Sequence, residues 1–323
     1  MPHPSHSTPV WRTYLTPGTL LPRGRFVWWY TLLGLLVLSL GVLGTAWLQH
    51  LWEEQDSPLQ HAGVLLLGPT FIIAALLPPL LASRRIEAQD YPAPKGLLAW
   101  RIGMMLAMTL LIQLMVAAFE AFVPGARAAS ETVAYSLNLG QGFWPDTAMV
   151  LAIAILAPLG EEWLFRGLFF RSLRDGLARW MPLRRSSAIG IALSSLLFAI
   201  VHIGDGQITQ WPALFVMGVL LALTYEWTGS LLAPMLVHAL NNSFALLVMT
   251  AQPDVTFSSD WLLLLAACSP LILLGLCGLL LRMLPSASAE PPQTINPPPL
   301  PFQPMCVAER QSSGPRPPPE TNR

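Results

Sequence analysis

Four stretches of the sequence place polar and ionisable side chains among neighbours that are almost all apolar. They are Pro158-Leu159-Gly160-Glu161-Glu162-Trp163-Leu164-Phe165-Arg166, Phe198-Ala199-Ile200-Val201-His202, His238-Ala239-Leu240-Asn241-Asn242 and the tight turn Gly204-Asp205-Gly206. On a helix, adjacent residues point about 100° apart, whereas residues four apart share a face. Glu161 and Glu162 therefore serve different purposes. Glu162 and Arg166 stand in i,i+4 register with the acid N-terminal, the favoured order for an ion pair, and Glu161 is left without a partner on its own helix. Phe198 and His202 share a face, with the ring placed to pack beside the imidazole. His238 and Asn242 share another, presenting an imidazole and a carboxamide toward a common point.

Together these groups suit water activation. A carboxylate can take a proton from water with help from an imidazole, while neighbouring donors stabilise the oxyanion of a peptide bond under attack. The same residue types, Glu161, His202 and His238, could instead hold Zn²⁺ with a fourth position open to water. Spacing alone leaves metal-bound water and a metal-free carboxylate–imidazole pair both open. The sequence has no G-x-S-x-G elbow and no H-E-x-x-H pair, so neither serine-hydrolase chemistry on that pattern nor a zincin helix is supported.

Stepping outward, the elements that position these residues must lie in lipid. The chain has 323 residues, 53% hydrophobic and only 11% charged, against about a quarter charged in soluble domains. Its formal net charge is zero, so no global basic field exists to attract nucleic acid, and that partner class drops out. Cys268 and Cys277 sit in an apolar run and Cys306 in a polar tail; they form no disulfide scaffold.

A helix needs about 20 mostly apolar residues to cross the bilayer. Windows at Val27–Leu48, Gly63–Ala82, Trp100–Val123, Trp211–Trp227, Ser230–Thr250 and Trp261–Leu284 qualify, and Thr147–Gly160 and Ser187–Ile203 are apolar but short. The expected fold is all-α, a polytopic membrane protein of about eight transmembrane helices. The first window is too long for a signal-peptide core and reads as a retained span. Every Lys and Arg except Arg127 falls on one side of this arrangement, which places both termini in the cytoplasm. Trp28, Trp29, Trp52, Trp100, Trp144, Trp211, Trp227 and Trp261 read as interface anchors. The organisation is then an N-terminal segment 1–26, helices 1 to 3 over 27–146, a core of helices 4 to 7 over 147–250, helix 8 over 251–284, and a proline-rich tail 285–323 expected to be disordered.

Depth brings the polar residues together. With helix 4 entering near Asp146, Glu161 lies about 22 Å along it, about 8 Å from the cytoplasmic face. His238, counted from Gly229, lies about 13 Å from that face. His202 reaches the same level if the hairpin that carries six arginines between Arg166 and Arg185, turning near Pro182, projects about 10 Å into the cytoplasm.

The pattern E-E-x-x-x-R at Glu161, Glu162 and Arg166, then F-x-x-x-H at Phe198 and His202, then H-x-x-x-N at His238 and Asn242 resembles the CPBP intramembrane proteases, the family of type II CAAX prenyl endopeptidases and bacteriocin-immunity (Abi) proteins. The stretch Thr228 to Asn242 is similar to that family throughout, and the resemblance covers roughly 148–247. It implies an intramembrane endopeptidase in which Glu161 and His202 activate water, His238 and Asn242 form the oxyanion site, and Glu162 and Arg166 support them. It implies a membrane-associated protein or peptide as substrate, the lipid bilayer as surroundings, and a bacterial inner membrane as location. The metal of this family is disputed, and Zn²⁺ stays an open expectation.

Each residue also has a plainer reading. The two glutamates could be interfacial charges at a helix end, His202 an interfacial imidazole on a carbonyl, and His238 and Asn242 interhelical glue. A competing class is a non-catalytic bacteriocin-immunity or scaffold protein of the same fold. A transporter would require inverted repeats with interrupted helices in both halves, and only the second half has polar breaks.

Overall fold

Within hydrocarbon, a backbone without water must bond to itself, and an apolar run satisfies this as a helix. The computed structural model describes residues 29–52, 68, 70, 73, 98–137, 139–202, 208–228, 230–250 and 257–283, all within one unit, Met1–Ala287. The helices are α1 Trp29–Trp52, α2 Leu98–Phe122, α3 Ala126–Ser136, α4 Phe143–Leu177, α5 Leu183–Val201, α6 Trp211–Thr228, α7 Leu232–Met249 and α8 Trp261–Met283. A single 3₁₀ turn, Ile208–Gln210, precedes α6, and no strand occurs among the described residues.

Six of these, α2 and α4 to α8, contain segments long and apolar enough to cross a membrane, and α1 adds the apolar stretch Thr31–Gly44. The chain is a polytopic all-α membrane protein. The expected span Gly63–Ala82 lies outside the described residues apart from 68, 70 and 73, as do the turn Gly204-Asp205-Gly206 and the tail 285–323. The two short windows resolve differently. Thr147–Gly160 is the middle of the 35-residue α4, and Ser187–Ile203 corresponds to the 19-residue α5. Helix α3 has no counterpart in the hydropathy windows. Its Ala126, Ala129 and Ala134 are buried, while its exposed face carries an Arg127–Glu131 pair at 3.3 Å.

Side chains sort by what they face. On α2, Met104, Met108 and Ile112 pack with Met217 and Leu221 of α6 and Val237 of α7. Leu106, Leu110 and Leu114, on the other face of α2, are about 60% exposed, as a lipid-facing stripe at i,i+4 spacing should be. Close approaches are set by glycine. A Cβ on Gly218 would stand 2.9 Å from the Ser195 Cβ, so α6 meets α5 at a position only glycine fills.

Helix α4 is not regular. Residues Ala152–Leu156 and Trp163–Phe170 are π-helical, a register uncommon outside functional segments. At the first π segment the Ala157 N–H bonds to Ala152 O, and Pro158 has no N–H to give. Ile153 O thus loses both the α-register donor at Ala157 and the π-register donor at Pro158, and it is free for a side chain.

The arginine-rich hairpin also departs from expectation. Arg179, Arg184 and Arg185 are exposed as a solvated segment requires, but Arg166, Arg171 and Arg174 are buried. Arg174 lies 2.9 Å from Glu226 Oε2 and 2.8 Å from Asp175 Oδ1, and Ser187 Oγ donates to Glu226 Oε1 at 3.2 Å. The six arginines therefore do not act as one cytoplasmic group. Half are taken inside the protein, because a buried charge is tolerable only when paired and hydrogen-bonded.

Candidate active site

The i,i+4 pair on α4 forms as its spacing requires. Arg166 Nη1 donates to Glu162 Oε1 at 2.8 Å, with both side chains buried. The arginine also spans to the next helix, where Nη2 donates to Gly218 O at 2.9 Å, and its guanidinium lies 4.8 Å from the centre of the Phe198 ring. A fork-shaped cation can make all three contacts at once, which an ammonium cannot.

Glu162 does a second job that the sequence does not reveal. The same Oε1 stands 2.9 Å from His238 Nδ1. A carboxylate accepts, so Nδ1 carries the hydrogen, and the ring is left with Nε2 as its working atom. His202 is held by the same logic. Its Nδ1 faces the Phe198 carbonyl at 2.7 Å, and a carbonyl can only accept, so Nε2 is again the atom that gains or loses a proton. Phe198, fully buried, stacks on His202 with centroids 4.3 Å apart and meets His238 edge-on at 6.0 Å.

Both working nitrogens lie near Glu161. Its Oε2 lies 3.3 Å from His202 Nε2 and 3.9 Å from His238 Nε2. That oxygen is buried and accepts no hydrogen bond from a protein group. Leaving a buried carboxylate oxygen unspent is costly unless something other than the fold uses it. The hairpin between α4 and α5 is what brings the pair together: Glu161 lies on the descending arm, and His202 caps the returning one.

Asn242 sits apart from this trio. Its Nδ2 donates to the freed Ile153 O at 2.9 Å, and its Oδ1 accepts from Asn241 Nδ2 at 3.2 Å. Asn241 Oδ1 accepts from Gln113 Nε2 at 3.0 Å. Of the seven residues singled out by spacing, Glu161, His202 and His238 converge, Glu162, Arg166 and Phe198 surround them, and Asn242 is tied to α4 at Ile153, about two turns before Glu161. Gln113, Asn241, Gly218 and Ile153 were not singled out. Asn241 had only its adjacency to Asn242 as a signal, and Gln113 only its isolation as an amide inside an apolar helix.

The donor types at Glu161, His202 and His238 are those Zn²⁺ accepts, and each Nδ1 is engaged by an acceptor in the way metal-bound imidazoles are. Among the described residues, however, no group of three or more His, Cys, Asp or Glu is gathered closely enough to hold a metal ion.

Residues 143–244 match the family model described as type II CAAX prenyl endopeptidase Rce1-like. Over this core the chain is similar to that family. It is 32% identical over 128 residues to the membrane-embedded CAAX protease MroQ of Staphylococcus aureus (strain USA300), covering 36% of this chain and 49% of that protein. It is 35% identical over 95 residues to an uncharacterized 24.3 kDa protein of Escherichia coli, covering 29% and 41%. It is also 32% identical over 93 residues to the uncharacterized protein YpbD of Bacillus subtilis (strain 168), covering 28% and 39%. The matches thus span about half or less of these curated relatives. No solved structure matches the chain.

Proposed function

We propose that the protein is an intramembrane endopeptidase that hydrolyses a peptide bond of a membrane-associated protein or peptide near the cytoplasmic face. The observation that carries this reading is the unspent Glu161 Oε2, lying 3.3 Å and 3.9 Å from two imidazole Nε2 atoms whose Nδ1 atoms are both engaged by acceptors. Glu161 takes a proton from water, with His202 Nε2 sharing it, and the hydroxide oxygen bonds to the scissile carbonyl carbon. The carbonyl oxygen becomes an oxyanion facing the remaining Asn242 N–H and a protonated His238 Nε2. Glu162 holds that ring from behind, while Arg166 keeps Glu162 in place. The proton taken from water passes to the leaving amine as the carbon–nitrogen bond breaks.

The family match and the name of the Staphylococcus relative, a CAAX protease, support a substrate ending in a lipid-modified segment. The bacterial sources of the relatives support residence in a bacterial cytoplasmic membrane, with both termini inside. Terminal-peptide proteomics tests the reading, comparing cells that carry wild type with cells carrying Glu161→Ala at equal expression. The expected result is a set of new protein termini present only with the wild type. Identical termini in both strains, together with full protection by Glu161→Ala in a toxin challenge, would move the protein to the non-catalytic immunity class.

A further inference from the structure

An asparagine that must present one N–H at a fixed point has to be prevented from turning over, because its carbonyl and amino groups are nearly the same shape. Asn242 is constrained at both ends. Ile153 O can only accept, so it takes an Asn242 N–H, and the Asn241 amino group can only donate, so it takes Oδ1. Turned over, Asn242 would set carbonyl against carbonyl and amino against amino. Asn241 takes its orientation from Asn242, and Gln113 Nε2 donates to the Asn241 Oδ1 that this leaves facing α2. The three hydrogen bonds run in one direction, from α2 through α7 to the Pro158-freed carbonyl of α4, and bonds in such a series polarise one another. One Asn242 N–H remains for a substrate oxygen.

We propose that Gln113 is a positioning residue for the oxyanion group, holding Asn241 in place from α2 and, through it, Asn242. This rests on the endopeptidase reading and adds to it a contribution from outside residues 143–244. Gln113 and Asn241 also line a cavity of about 860 Å³ between α2, α3 and α7, together with apolar side chains such as Leu114 and Phe244 and with polar ones from Glu120 to Glu131. The relay therefore has one side open to a space rather than sealed in packing, where mere interhelical adhesion would be expected to close it.

The test uses the full-length protein in lipid nanodiscs and a peptide spanning one Glu161-dependent junction. Gln113→Leu keeps the volume and suits a membrane helix, so the fold survives. Removing an oxyanion donor costs about 100- to 1,000-fold in kcat, and loosening one should cost less. Gln113→Leu is expected to lower kcat about tenfold with KM within about twofold of wild type, and to have no further effect when Asn242 is already alanine. An unchanged kcat, or the same drop in the wild-type and Asn242→Ala backgrounds, overturns the assignment. Absence of any Glu161-dependent junction is a separate outcome that removes the endopeptidase reading, and this assignment with it.

Discussion

Two clusters of buried charge lie two helical turns apart on α4, and they are built from the same parts to opposite ends. Arg166 reaches Gly218 on α6, and Arg174, eight residues on, reaches Glu226, eight residues beyond Gly218. In the Arg174 cluster both oxygens of Glu226 are taken, one by arginine and one by Ser187. In the Arg166 cluster Glu162 Oε1 is paired, and the adjacent Glu161 offers an Oε2 that no protein donor takes; Glu162 Oε2 and Asp175 Oδ2 are also without a hydrogen-bond partner, so what sets Glu161 apart is its place 3.3 Å and 3.9 Å from two imidazole Nε2 atoms. A carboxylate whose oxygens are both taken serves the fold, and one left with acceptor capacity beside two oriented imidazoles is equipped for chemistry.

Substitutions should separate the two. The largest effect is expected for Glu161→Gln, which keeps the shape and removes the base. General-base loss costs about 100- to 10,000-fold, so cleavage should fall by about a thousandfold or more with unchanged yield and thermal midpoint. In the other cluster Arg174→Met strands Glu226 and Asp175 in the interior, which costs about 3–5 kcal/mol. Yield and thermal midpoint, read by size-exclusion fluorescence, should drop sharply, whereas kcat of the surviving folded protein should stay near wild type. Loss of kcat at full yield would erase the distinction.

Arg166→Lys falls between the two. A lysine cannot bond Glu162 and the Gly218 carbonyl together, so His238 loses its fixed support. A fall of about tenfold in kcat alongside a modest loss of yield is expected, and Lys matching Arg in both would show the fork to be irrelevant. The smallest effect is expected for Gly218→Ala. Its added Cβ would crowd Ser195, and overpacking of this kind costs about 1–3 kcal/mol; thermal denaturation in detergent reads it, with kcat little changed.

What the sequence disclosed follows the range of each interaction. The Glu162–Arg166 pair and the Phe198–His202 stack are i,i+4 relations, and both appear where spacing puts them. The hairpin turning near Pro182 was legible because proline and arginine marked it, and it brings Glu161 to His202. Long-range partners left no local trace. Glu162 with His238 is separated by 76 residues, and Gln113 with Asn241 by 128. The π register of α4 was equally hidden, since hydropathy is the same for α and π turns; Pro158 gave the only hint. Arg174 lies inside although an arginine near a span end reads as solvated, because its carboxylate partner Glu226 stands on another helix.

The central claim is that Glu161, close to His202 and His238, activates the attacking water. It is tested most directly by single-turnover cleavage of one junction peptide by equal amounts of folded wild type and Glu161→Gln in nanodiscs. The account predicts a rate reduced by about a thousandfold or more with the same peptide affinity. A rate within about twofold of wild type would contradict it.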